Sequence, residues 1–150
     1  MSINKKLKKE LNTYLANSAV MYVKLHNLHW NVKGQNFKEI HEYLELQYDA
    51  YGVMLDEIAE VLCMFEICPP ATMSDYIELT SINELKSKAI SIPKALKIFK
   101  EDTIANRRLA RKIRDRANDL DNFQVVGMLE THIGEFDKAI WFTDSMLKKC

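Results

Sequence analysis

The stretch from Asn36 to Phe65 carries an apolar stripe with no proline in it, and it limits what the whole chain can become. Ile40, Leu44, Tyr48, Tyr51, Leu55, Ile58 and Leu62 recur every three or four residues, the period of a helix rather than of a strand. A helix this long has one apolar face to bury, and only neighbours of similar length can cover it. Three more such stripes exist. The first spans about Asn4 to Asn31, on Leu7, Leu11, Leu15, Tyr22, Leu25 and Leu28. Another starts after Ser91, runs on Leu96, Phe99, Thr103, Ala110 and Ile113, and ends near Ala117; Asn106 interrupts its face. The last begins around Asp121 and uses Leu129, Ile133, Phe136, Ile140 and Leu147.

The punctuation between stripes sets the connections. Lys33-Gly34-Gln35 separates the first two, with Asn36 as the expected N-cap. Cys68-Pro69-Pro70 ends the second, and a short amphipathic piece follows from Ser74 to Leu79, with Ser74 as its expected cap. Pro93 fits only a first turn, so the third long helix opens beside it. Two short connections and one long central one predict an all-α fold: a ferritin-like four-helix bundle, with a short extra helix in the crossover between the second and third long helices. A plain bundle without metal has the same periodicity. The 150 residues form one domain, 1–150, long enough for a full core.

Bulk properties exclude several classes. With 47% hydrophobic residues, four glycines and three prolines, the chain is ordered rather than loop-rich. A formal net charge of zero gives no overall pull toward nucleic acid or membrane, so such binding would need a local patch. The N-terminus lacks the apolar core of a signal peptide, and no apolar run is long enough to cross a bilayer. Cys63, Cys68 and Cys150 are odd in number and lack C-x-x-C spacing, which suits a reducing cytoplasm and argues against a zinc knuckle. Two of them are expected to be small buried residues and the terminal one an exposed thiol.

The chemistry is concentrated between His29 and Glu60. His41 and Glu45 form one i,i+4 pair, and Asp56 and Glu60 another, so each pair shares a helix face. The pair centres, 43 and 58, are fifteen residues apart, roughly 22 Å along one helix. One ion cannot bridge that distance. An ordinary intrachain di-iron bundle uses Glu-x-x-His on two helices, and this chain contains no such motif. Either the pairs are two incomplete sites or a second copy completes each. Two copies of the second helix, antiparallel about an axis near Ala50, Tyr51 and Gly52, would bring His41 and Glu45 of one chain to Asp56 and Glu60 of the other. Gly52 costs helix propensity, and a close helix approach there would explain it. His29 can supply a further imidazole. Imidazole plus carboxylate suits Fe(II), Mn(II) or Zn(II).

At these residues the chain resembles the Dps family, the DNA-binding proteins from starved cells, or miniferritins. The pattern H-W-x-V-x-G-x-x-F-x-x-I-H stands here as His29, Trp30, Val32, Gly34, Phe37, Ile40 and His41. A second segment, roughly M-D-E-x-A-E-R in the family, stands as LDEIAEV from Leu55 to Val61. The resemblance covers nearly the whole chain. It implies a dodecameric homo-oligomeric cage with ferroxidase sites at its two-fold interfaces, each with two irons. His29, His41 and Glu45 would come from one subunit, and Asp56 and Glu60 from its mate. It further implies oxidation of Fe(II), preferentially by hydrogen peroxide rather than oxygen, storage of a ferric oxide core, and protection of DNA from oxidative stress in the cytoplasm. Trp30 would intercept stray radicals. Three departures stand out: Glu45 where the family usually has Asp, Val61 where Arg is common, and Glu66-Ile67 in place of small or Gly-rich residues.

The remaining signals are weaker. His26, one turn before His29, reads as structural or surface, and His132, without a matching ligand partner, as structural. Lys5, Lys6, Lys8 and Lys9 crowd a helix start, where the macrodipole disfavours them. Six basic residues lie between Arg107 and Arg116 without interleaved aromatics, and read as a solvated helix face. Either tract, repeated over a cage, would give salt-sensitive DNA association, so the rival function is a non-enzymatic DNA-compacting cage with secondary metal binding. A purely structural oligomer is a third reading. Asp119 and Asp121 fall where the family lines iron-uptake pores with acids, ahead of Val125, Val126 and Gly127; the simpler role for Asp121 is an N-cap.

Overall fold

Asn4 starts the bundle. Its side-chain oxygen accepts the Leu7 N–H at 2.8 Å and opens α1 (Lys5–Asn31). The computed structural model describes residues 3–149. Further along lie β1 (Val32–Lys33), α2 (Phe37–Met64), α3 (Met73–Leu79), β2 (Ile90–Ser91), α4 (Ile92–Asp119) and α5 (Phe123–Leu147). The four long helices and the short one in the crossover stand as the periodicity predicts. α1 packs chiefly on α2 and α4 on α5, while α1 also meets α3 and α4. Leu7, Leu11, Leu15, Leu25 and Leu28 of α1 meet Leu44, Ile58 and Leu62 of α2 and Leu96, Phe99 and Ile113 of α4 in one core.

Helix boundaries differ in chemistry from the sequence expectation. Asn36 does precede α2, but in a left-handed conformation (φ 67°), and its side chain caps nothing. Thr72, not Ser74, caps α3 through a reciprocal capping box with Asp75. The α5 cap is Asn122, whose oxygen accepts the Val125 N–H at 3.2 Å, so Asp121 is not the cap. Asp121 instead closes the preceding helix. Its N–H donates to the Asn118 carbonyl and the Asn122 N–H to the Ala117 carbonyl, with Asp121 left-handed at φ 53°: a Schellman motif. The end of α2 repeats it, with Glu66 at φ 58° and the Ile67 N–H on the Leu62 carbonyl at 3.0 Å. Glu66 thus occupies the position where glycine is the cheap choice.

The buried faces also differ from the expected stripes. Tyr22 is 37% exposed, and Tyr48 and Leu55 are only half-buried. On α5 the buried face runs through Val125, Leu129, His132, Phe136, Ala139 and Thr143, which leaves Ile133 and Ile140 half-buried beside it. Cys63 and Cys68 are exposed rather than buried, and the reading of Cys150 lies outside the described residues. Asn106 lies in the α4 core face because both polar atoms of its amide find a partner there. It accepts from Asn17 Nδ2 at 3.0 Å and donates to the Tyr51 hydroxyl at 3.1 Å.

One unanticipated contact positions the site. β1 and β2 form a short parallel pair, Val32 with Ile90 and Lys33 with Ser91. It ties the α1–α2 corner to the start of α4. Gly34 follows at φ 137°, where an added Cβ would sit 3.5 Å from Ile92 Cδ1. That corner carries His29 and His41.

Candidate metal centre

α1 ends and α2 begins with a pair of interlocked histidines. His29 Nδ1 donates to the His41 carbonyl at 2.6 Å, and His41 Nδ1 donates to the His29 carbonyl at 2.8 Å. The bond onto His29 uses a carbonyl in the last turn of α1, where helical partners run out. A carbonyl can only accept, so each imidazole carries a proton on Nδ1, and Nε2 is the nitrogen left to offer a lone pair to a metal. The rings lie parallel, 3.6 Å apart with 13° between planes. His29 is 6% exposed and His41 half-buried, so both rings are set in place. A backbone carbonyl fixing the tautomer from the far side of the ring is the usual support of a metal-binding histidine.

One turn on, Glu45 is exposed, and its Oε1 accepts the Tyr48 hydroxyl at 3.1 Å. Loss of solvation, followed by the Glu45 carboxylate, raises the Tyr48 phenol above its ordinary value, so it stays a donor. Tyr48 stacks on His26 (3.7 Å, 25°) and meets His29 edge-on (5.3 Å, 82°). Trp30 is 65% exposed, with its ring 5.3 Å from that of His26.

Asp56 and Glu60 lie further down α2, exposed on the same side of the helix as Glu45. Among the described residues, no group of three or more His, Cys, Asp or Glu in one chain converges to hold an ion. The structure therefore brings His29 and His41 together, places Glu45 one helical turn after His41 with its carboxylate on Tyr48, and leaves Asp56 and Glu60 apart. The donor set fits a divalent transition metal: two imidazole Nε2 atoms, each turned outward by its Nδ1 hydrogen bond, and carboxylates on the same helix face.

Gly52 has an explanation inside the chain. A Cβ there would come within 3.3 Å of Tyr22 Cε2, so the Tyr22 ring lies over this glycine. His132 has partners the sequence does not reveal. Its Nδ1 lies 3.1 Å from the Tyr14 hydroxyl and its Nε2 2.6 Å from Glu57 Oε2, a link among α1, α5 and α2 that is buried at Tyr14 and His132 and reaches the surface at Glu57. With the Glu57 carboxylate accepting from Nε2–H, Nδ1 accepts from Tyr14. Glu57 and Tyr48 were missed as polar contributors: Tyr48 reads as one more stripe residue, and Glu57 as one acid among several. Asp119 and Asp121 are both exposed at the α4–α5 corner, whereas Val125 belongs to the core. The basic tract of α4 is largely paired: Arg107 with Asp137, Arg114 with Asp115 and Glu130, and Lys112 and Arg116 with Glu10.

Comparison with known proteins agrees with this architecture. Residues 8–150 match the family model of the ferritin-like domain. The chain is 32% identical over 141 residues to the DNA protection during starvation protein of Brevibacillus brevis, covering 92% of each. It is also 32% identical to antigen TpF1 of Treponema pallidum over 139 residues, 93% of this chain and 78% of the relative. The crystal structure of TpF1 superposes with a TM-score of 0.94 at 30% identity, over 98% of this chain and 97% of that one. Dps from Staphylococcus aureus does so at 0.94 and 27%, over 100% of both chains. A Dps protein from Vibrio cholerae, described as a member of a broad superfamily of ferritin-like diiron-carboxylate proteins, superposes at 0.91 and 25%, over 99% and 98%. The chain belongs to the Dps family of ferritin-like proteins.

Proposed function

We propose that this protein is a cytoplasmic iron-storing miniferritin that oxidises Fe(II), preferentially with hydrogen peroxide, at sites shared between two copies of the chain in a dodecameric cage. The observation that carries the reading is the interlocked His29–His41 pair, with both Nε2 atoms left to meet a metal, on the same chain as an exposed and separate Asp56–Glu60 pair. The diiron-carboxylate description of the Vibrio cholerae relative supports the choice of iron.

Parallel imidazoles cannot converge on one ion, because their in-plane lone pairs do not meet. Their 3.6 Å separation is close to the roughly 3.5–4 Å between ions in two-metal sites. His29 and His41 would each serve one of two neighbouring Fe(II) substrates, with Glu45 beside them and Asp56 and Glu60 of a second copy closing the site. Two Fe(II) then give one electron each to a peroxide, which takes up two protons and leaves as two waters, without releasing hydroxyl radical. Trp30, exposed beside the site, would catch one-electron leaks. Asp119 and Asp121 would draw Fe(II) toward the cage interior, where ferric oxide accumulates.

A second copy has a surface to occupy. Leu46 and Val53 of α2 are 66% and 59% exposed, and Tyr22, Val23, Leu55, Met73 and Ile77 line an apolar groove nearby. No described helix is long and apolar enough to cross a membrane. Protection of DNA, the property in the Brevibacillus relative's name, follows on this reading from removing Fe(II) and peroxide. The rival DNA-compacting cage draws less support, because the α4 basic residues are engaged with acids; Lys5, Lys6, Lys8 and Lys9 are exposed.

Anaerobic loading of the purified protein with Fe(II), followed by peroxide, tests the proposal. A ferric core should form inside an assembly of roughly 210 kDa, twelve chains of 17.5 kDa. Inert iron chemistry together with tight, salt-sensitive binding in a DNA gel shift would favour the rival instead.

A further inference from the structure

Glu45 has an aromatic support of its own. It is exposed, and a glutamate has one more rotatable bond than an aspartate, so a free side chain would spread its carboxylate over several positions. Among the described residues, its side-chain partner is the Tyr48 hydroxyl, one turn along α2 at 3.1 Å. The Tyr48 ring is held on three sides. His26 stacks on it at 3.7 Å, Tyr22 meets it edge-on at 5.9 Å and 84°, and His29 meets it edge-on at 5.3 Å. The two outer members are fixed in turn. His26 Nδ1 donates to the Tyr22 carbonyl at 2.7 Å, and the Tyr22 ring lies over Gly52.

We propose that Tyr48 is a positioning residue for the metal centre: its clamped hydroxyl holds one oxygen of Glu45 and so presents the other to an ion as a single, aimed ligand. The inference rests on the shared metal-site reading and deepens it. Aspartate at this position would end one methylene short of the hydroxyl, so Tyr48 and Glu45 work as a unit. Gly52 belongs to the same device, because it gives the Tyr22 ring its seat and Tyr22 closes the clamp.

The test uses the intact assembly and Co(II), whose absorption bands report its coordination. Wild type, Tyr48→Phe, Glu45→Asp and the double variant are titrated anaerobically, with assembly size and circular dichroism recorded for each. Tyr48→Phe keeps the ring and its stacking but removes the hydroxyl. It should weaken binding of one of the two ions about tenfold, as loss of a supporting hydrogen bond does, and alter that ion's spectrum while sparing the other. In the Glu45→Asp background the same change should add nothing. His26→Ala, which loosens the clamp and leaves both oxygens in place, should reproduce part of the loss.

A Tyr48→Phe assembly that binds both ions as wild type does would overturn the positioning role and leave the metal site standing. Losses that add fully in the double variant would overturn it too, because Tyr48 would then act elsewhere. Failure of the wild-type assembly to bind Co(II) at His29 and His41 would overturn both this inference and the shared-site reading.

Discussion

Asn106→Leu should destabilise the protein by about 3 kcal/mol. The side chain is fully buried in the apolar face of α4 and makes two hydrogen bonds, from Asn17 Nδ2 at 3.0 Å and to the Tyr51 hydroxyl at 3.1 Å. Without the amide, the Asn17 N–H and the Tyr51 oxygen each lose a buried partner, at about 1–3 kcal/mol apiece. The new apolar side chain returns about 1 kcal/mol through its own burial. The loss should also spread along the chain. Asn17 Oδ1 accepts from the Thr80 hydroxyl and the Ser81 N–H, both at 2.8 Å, so the same amide pair holds the crossover against α1. Burial keeps the Tyr51 phenol protonated far above its ordinary value, so titration will not relieve the mismatch. Urea unfolding at fixed protein concentration is the assay, since any association between copies adds to apparent stability. The midpoint should fall, with a thermal midpoint lower by roughly 6–12 °C. A variant as stable as wild type would refute the reasoning, because the amide would then be replaceable by any side chain of its size.

Other perturbations test different parts of the fold. Burial pushes the Glu10 carboxyl up, but hydrogen bonds from Arg116 and Lys112 outweigh it and leave the group below its ordinary value of 4.5. A depressed folded value stabilises above the unfolded one and loses that contribution as pH falls through the folded one, so Glu10→Gln should lower the urea midpoint at pH 7, with the gap closing in acid below 4.5. Glu66→Gly removes a left-handed penalty of about 1–2 kcal/mol at the expense of some unfolded-state entropy, so the thermal midpoint should rise by roughly 2–4 °C. Asp121→Gly should gain less, since aspartate tolerates this conformation better than glutamate.

The long helices were legible in the sequence because their cores are simple. Leu7, Leu11, Leu25 and Leu28 sit on a helical period and are fully or almost fully buried. The candidate site was legible in part. The spacing of His41, Glu45, Asp56 and Glu60 rules out a single-chain site from helix rise alone, and the fold keeps the two pairs apart. Reciprocal bonding of His29 and His41 was not legible, because it depends on how the Gly34 corner folds back. Tyr48 and Tyr22 read as stripe residues, since periodicity does not tell a core aromatic from one stacked at the helix edge. Asn106 looked like a flaw in its stripe, and its partners, Asn17 and Tyr51, are 89 and 55 residues away. The β1–β2 pair is equally non-local, joining Val32 to Ile90. Cys63 follows buried Leu62 around the helix onto the exposed side, which residue type alone does not indicate.

Mixed assemblies measure the sharing of the site most directly. His41→Ala removes one half of each site and Asp56→Ala the other, so each variant alone should fail to oxidise Fe(II) with peroxide. Co-assembled in equal amounts and paired at random, half of the two-fold pairs contain one of each, and one of the two sites in such a pair is intact. Activity should therefore return to about a quarter of wild type. Mixed assemblies of native size with no activity above the single variants would contradict a site built from His29, His41 and Glu45 of one chain and Asp56 and Glu60 of another.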